Sequence, residues 1–177
     1  AYGLFGKAAW EALKAIEAEA TASARPAKAY ATTLLLLAHK PVALGHVIAA
    51  FGVGDGAMAL YQEGGTLKLL QQIDSGEFAG QTRFLDRGVL GDAQAILSRI
   101  QVHYVPNFTA LLLMSDGVSD AHFNSDVELH CQASWAQFWQ ALQPALPQDT
   151  LDTALLEWLD FWSPGNHDDR TLAVLWR

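Results

Sequence analysis

Cysteine is almost absent from the 177 residues: Cys131 stands alone, with no CxxC pair. A disulfide scaffold and a thiolate-rich zinc or iron–sulfur site are thereby excluded. The chain is expected to work in a reduced, cytoplasmic setting. Long apolar runs are lacking too. Thr32–Ala38 falls short of the ~18–20 residues a membrane span needs, and Pro41–Gly54 is interrupted by His46 and by glycines. The opening residues show no signal peptide. No glycine period, sustained heptad or internal repeat is present, so collagen, coiled coil and solenoid drop out. The familiar catalytic signatures are missing as well. Gly3 to Lys7 lacks the spacing of a phosphate-cradling loop, and there is no GxSxG elbow and no HExxH pair. Gly52–Gly56 has the wrong glycine spacing for a dinucleotide loop, and a strand follows where the pyrophosphate needs a helix N-terminus. The six histidines are scattered with no i, i+4 pair, and the expectation for each is a surface or satisfied core residue.

What is present is apolar and aromatic: 51% hydrophobic residues and 10% aromatic ones, in a length suited to one domain. The net charge of −8 is unevenly spread. Residues 1–99 hold nine bases and nine acids, whereas residues 100–177 hold two bases, Arg170 and Arg177, against ten acids. An acidic C-terminal part repels phosphate backbones, which argues against nucleic acid as a partner. It would suit a cation, but charge alone favours the plainer explanation, a pair of solvated acidic helices.

Apolar residues at Phe5, Ala9, Leu13, Ile16 and Ala20 share one helical face, predicting a helix over Leu4–Ala24 that Pro26 stops. Tyr30–His39, Gly45–Val53, Ala57–Gln62 and Thr66–Gln71 read as strands. Gly54-Asp55-Gly56 is expected to make a tight hairpin turn between the second and third, so that the run forms a meander. Residues 74–93 read as an irregular excursion, and Ile96–Val105 and Phe108–Met114 as two further strands. Helical pattern runs from Asp126 to Leu142 with Cys131 as a small buried group, and again from Asp149 or Thr150 to Trp162. Thr171–Trp176 closes the chain as a strand. A helix, a run of strands, two helices and a strand predict an α+β layered sandwich.

Two acidic strand ends stand out. Phe108–Met114 ends in Ser115-Asp116-Gly117-Val118-Ser119-Asp120, where the glycine is expected to turn the chain away sharply. Asn166-His167-Asp168-Asp169-Arg170-Thr171 leads into the last strand. Two such ends meeting at one sheet edge would anchor a hard divalent cation, which keeps several waters and needs only one or two carboxylates. Capping of the following helix or turn is the alternative, and the residues alone do not choose between the two.

The same residues resemble those of a known family. Leu111–Asp120 (LLLMSDGVSD) and Asp168–Leu175 (DDRTLAVL) resemble the late motifs of protein phosphatase 2C, the metal-dependent serine/threonine phosphatases. Tyr30–Leu36 (YATTLLL), Phe51–Leu60 (FGVGDGAMAL) and Gly76–Leu85 (GEFAGQTRFL) are similar to earlier segments, in the family's order. The resemblance implies a layered α-β-β-α sandwich with mainly antiparallel sheets. It also implies hydrolysis of phosphoserine and phosphothreonine in a phosphoprotein substrate, by water activated between two Mn²⁺ or Mg²⁺ ions. By position, Asp116 and Asp168 match metal ligands. Asp120 and Asp169 match residues beside the metals, Asp169 standing where the family usually has Asn. Asp55 matches the hairpin aspartate, read mainly as a turn residue.

The acid that usually precedes the Thr-Thr strand is replaced by Lys28-Ala29, which speaks against a third ion. The early motifs, a phosphate-binding Arg and an Asp-Gly-x-Gly whose Asp bridges both metals, are not found. The sequence starts with Ala, and the expectation is a partial domain from the second helix to the final strand, with the N-terminal strands missing. A missing segment or a partner chain would then pair with an exposed sheet edge. The alternative function is a non-catalytic phosphatase-like module that binds a partner protein.

Overall fold

The computed structural model describes residues 1–71, 82–146, 151–161 and 168–177, with Leu151 and Asp152 described by their backbone alone. Among these residues, six α-helices and seven strands follow in the order α1 (Tyr2–Ala22), β1 (Leu34–Val42), β2 (Gly45–Val53), β3 (Ala57–Tyr61), β4 (Leu67–Leu69), α2 (Ala93–Leu97), β5 (Ile100–Val105), β6 (Ala110–Met114), α3 (Asp116–His122), α4 (Asp126–Leu129), α5 (Gln132–Leu142), α6 (Leu151–Leu159) and β7 (Leu172–Trp176), with short 3-10 turns at Ala27–Tyr30 and Gln143–Ala145. The strands form two antiparallel sheets, ordered β1-β2-β5 and β4-β3-β6-β7. The fold is α+β. Two compact units result, one of Ala1–Asp55 with Leu70–Asn107, the other of Gly56–Leu69 with Phe108–Arg177.

In the first unit, α1 ends where Ala24 takes a left-handed conformation (φ 51°), two residues before Pro26. Its buried stripe of Phe5, Ala9 and Leu13 packs with Ala49, Phe51 and Val53, alternate residues of β2 that share one face of the strand. Phe5 and Phe51 stack with ring centres 6.3 Å apart. Leu85, Val89, Leu90 and Ile96 complete that core. Arg87 reaches back to Glu17 of α1 with two charge-assisted hydrogen bonds of 2.6 and 2.7 Å, and the guanidinium lowers the carboxyl pKa of Glu17.

In the second unit, β3 is buried along its whole length, as a central strand should be. Small residues at Ala57, Ala59 and Ala110 leave space on the sheet for the large rings of α5. Trp135, Phe138 and Trp139 join Tyr61, Leu112 and Met114 in one cluster. Trp135 is fully buried and its indole donates to the Leu129 carbonyl at 2.7 Å, so its polar atom is satisfied.

Several expectations are corrected. Gly54-Asp55-Gly56 does not close a hairpin: β2 pairs with β1 and β5, while β3 pairs with β4 and β6. Gly54 does hold a positive φ of 114°, and a side chain there would run into Thr33. Hairpin rules are local, and a strand buried throughout is decided by its long-range partners instead. Ile96–Val105 divides into the end of α2, capped by Asp92 through the Ala95 amide, and β5. The helix from Asp126 breaks at His130-Cys131, so Cys131 precedes α5 as its half-buried N-cap residue. Hydrogen bonding to Ser134 lowers its thiol pKa. Residues 74–81 of the 74–93 excursion, and with them the GEFAGQTRFL segment up to Gln81, lie outside the described residues. No helix among the described residues is long and apolar enough to cross a membrane.

Candidate metal centre

β6 and β7 run antiparallel with Met114 opposite Leu172. This pairing sets the C-terminal end of β6 beside the N-terminal end of β7, so Ser115-Asp116-Gly117 neighbours Asp168–Thr171. Three hydrogen bonds close the seam. The Ser115 amide donates to the Thr171 carbonyl at 3.0 Å. The Ser115 hydroxyl accepts from the Thr171 amide at 3.0 Å and donates to the Asp169 carbonyl at 2.9 Å.

Gly117 permits the approach. A Cβ at this position would stand 2.5 Å from the Asp169 carbonyl oxygen and 3.1 Å from that of Asp168. The glycine therefore does not turn the chain away, as the sequence pattern implies. It lies inside α3 and keeps that helix in contact with the second acidic segment. Ser115 and the close-approach role of Gly117 escape a reading by residue type, since a Ser-Asp-Gly run has the composition of an ordinary turn.

The two principal acids adopt the same local arrangement. Asp116, half-buried as the first residue of α3, accepts with Oδ1 from the Gly117 amide at 2.8 Å. Asp168, exposed before β7, accepts with Oδ1 from the Asp169 amide at 2.9 Å. Each carboxylate is thus oriented by the amide that follows it. Asp120 is exposed on α3 and accepts a long 3.3 Å hydrogen bond from Ser119. Asp169 enters the seam through its backbone carbonyl. Asp55 belongs to the first unit, where Thr82 donates to its Oδ2 and its Oδ1 is buried without a hydrogen bond among the described residues.

The backbones of Asp116 and Asp168-Asp169 are therefore adjacent. Among the described residues, no group of three or more His, Cys, Asp or Glu side chains is gathered for a metal ion. The donor chemistry at the seam is all oxygen and carries carboxylate charge, which fits a hard ion such as Mg²⁺ or Mn²⁺ that retains water and does not fit a soft one.

A family model described as protein phosphatase 2C matches residues 5–160. The chain belongs to the protein phosphatase 2C family. The match includes Asp55, Asp116 and Asp120 and stops before Asp168 and Asp169. No curated protein matches the sequence. Among solved structures, a bacterial serine phosphatase is similar at 16% identity over 75% of this chain and 53% of its own, with a TM-score of 0.40. The phosphatase domain of the cell fate determinant SpoIIE from Bacillus subtilis is similar at 17% identity over 99% of this chain and 73% of its own, with a TM-score of 0.44. The chain spans about half the length of the bacterial serine phosphatase chains it matches.

Proposed function

We propose that this chain is the larger part of a phosphatase 2C-type catalytic domain that hydrolyses phosphoserine and phosphothreonine in phosphoproteins, with Asp116 and Asp168 as ligands of Mn²⁺ or Mg²⁺. The observation that supports this reading is the seam. Two acids about fifty positions apart in sequence start from backbones held together by the Ser115 hydroxyl and by the absence of a side chain at Gly117. Ions bound there supply Lewis acidity, a more acidic water and positive charge to offset the phosphoryl oxygens. The residues of this chain contribute position and charge. Asp116 is fixed by the start of α3 and Asp168 by the approach to β7. Asp120 and Asp169 add negative charge nearby, and Asp169 brings more of it than the family's usual Asn would. Completion of the site by residues upstream of this sequence belongs to the same proposal, as does a setting in the cytoplasm.

A second reading, a phosphatase-like module that binds a partner without catalysis, draws on the absence, among the described residues, of three or more His, Cys, Asp or Glu side chains gathered to hold a metal ion. Manganese-dependent hydrolysis of a phosphate ester decides between them, measured on the full-length protein and on its Asp116→Asn and Asp168→Asn variants. The enzyme reading expects a loss of at least about 100-fold in each variant, in line with removal of a metal-anchoring group. Equal rates in wild type and variants would remove both acids from the assigned role.

A further inference from the structure

The three bonds of the seam engage Asp169 and Thr171. A second set of contacts reaches the same segment from the side. Arg170 lies two positions after Asp168, and its guanidinium sits over the ring of Phe161 at 4.5 Å from the ring centre. Its Nη1 donates to the Leu159 carbonyl at 3.3 Å, at the C-terminal end of α6, where a cation is favoured. Phe161 in turn meets the His122 ring edge-on with centres 5.1 Å apart, and meets Trp158 at 6.0 Å. His122 stacks flat on Trp158, 5.2 Å between centres and 7° between planes, and stands edge-on to Phe138. Trp158 is pinned by its indole donating to the Ala141 carbonyl at 3.0 Å. His122 is the last residue of α3, the helix that Asp116 begins. The two ends of that helix are thus connected to the Asp168 segment by different means, the seam at one end and the ring stack at the other.

We propose that the stack of His122, Phe161 and Arg170 positions the Asp168 carboxylate for metal binding. This inference rests on the metal assignment of Asp116 and Asp168 above. A flat guanidinium suits the role because it can lie on a ring face and donate to a carbonyl in its own plane, which a lysine ammonium cannot do. These residues are positioning residues, because none of them supplies a ligand.

The test is Mn²⁺ titration of the full-length protein, followed by the electron paramagnetic resonance signal of free Mn²⁺, with thermal unfolding recorded in parallel. Phe161→Leu and Arg170→Lys are each expected to weaken Mn²⁺ binding by roughly tenfold or more, the usual effect of losing a group that orients a ligand. Phe161→Tyr, which keeps the ring, is expected to retain wild-type affinity. Asp168→Asn serves as the reference. If it weakens Mn²⁺ binding while Phe161→Leu and Arg170→Lys bind as wild type does, the positioning role is overturned and the metal assignment stands. If Asp168→Asn itself binds Mn²⁺ unchanged, the metal assignment falls and the positioning role with it. If Arg170→Lys folds with an unchanged unfolding midpoint and still loses affinity, a merely structural role is excluded.

Discussion

The two units use the same plan, helices over an antiparallel sheet, but fill it with different chemistry. The first packs mostly aliphatic and small side chains, with Phe5 and Phe51 stacked between α1 and β2 and Trp10 of α1 against the edge of the cluster. The second joins Tyr61, Phe123, Trp135, Phe138 and Trp139 in one cluster, with His122, Trp158 and Phe161 in an adjoining ring stack. Aliphatic packing is non-directional, so it fixes distance between elements more than angle. Ring edges and faces favour particular orientations, and indole N–H groups require partners in defined places. On the metal assignment proposed above, a unit that holds two acidic segments in fixed relation gains from the second kind of core. The acidic excess of residues 100–177 lies wholly in sequence outside α1, β1 and β2.

Matched substitutions break this comparison most directly. Trp135→Ala and Phe51→Ala are each expected to cost about 3–5 kcal/mol, since both side chains are fully buried. Trp135→Ala should also weaken Mn²⁺ binding, whereas Phe51→Ala should lower stability with metal affinity maintained in the folded fraction. Chemical denaturation together with Mn²⁺ titration checks both. Gly117→Ala comes next. Its methyl group would meet the Asp169 carbonyl, so a loss of about 1–3 kcal/mol from overpacking is expected. If the proposed function holds, phosphate-ester hydrolysis by the full-length protein carrying this substitution should fall further than its stability loss explains.

Ser115→Ala is expected to cost about 1 kcal/mol by removing the hydroxyl that bridges Asp169 and Thr171. The smallest effect concerns pH. Burial lowers the pKa of His122 from its ordinary 6.5. The unfolded chain therefore binds this proton more readily than the folded one, and stability should decline as pH falls below about 6.5, being fully present above it. Unfolding midpoints from pH 8 down to pH 5 should show a shallower slope for His122→Phe, which keeps a ring and removes the titrating group.

Much of this arrangement was legible in the residues. The stripe of Phe5, Ala9, Leu13 and Ala20 gave α1 to within two residues at each end, because a helix is specified by local spacing. The apolar runs marked the strands for the same reason, and the order SDG then DDRT marked the family. Partner choice was not legible. Asp-Gly between two apolar runs reads as a hairpin, but β3 is buried throughout and required a neighbour on each side, β4 on one and, from about fifty residues later, β6 on the other. The α3 helix was missed for a different reason. Ser115 precedes Asp116 as a helix N-cap residue would, but its hydroxyl serves the seam and makes no capping bond. His39 and His46 looked scattered along the sequence, and they meet across β1 and β2 with His39 Nε2 2.9 Å from His46 Nδ1. Only the register Pro41 opposite His46 reveals that contact.

The chain's route between its sheets has a consequence for anyone who wishes to dissect it. Each compact unit is assembled from two separate stretches of sequence, so no single cut liberates either one whole. Termination after Asn107 would deprive β3 of its longer neighbour and leave an all-buried strand facing solvent. A fragment starting at Phe108 would possess β6 and β7 without the pair that extends their sheet. Deletion mapping would therefore report loss of function for almost any truncation, and point substitutions are the informative tool.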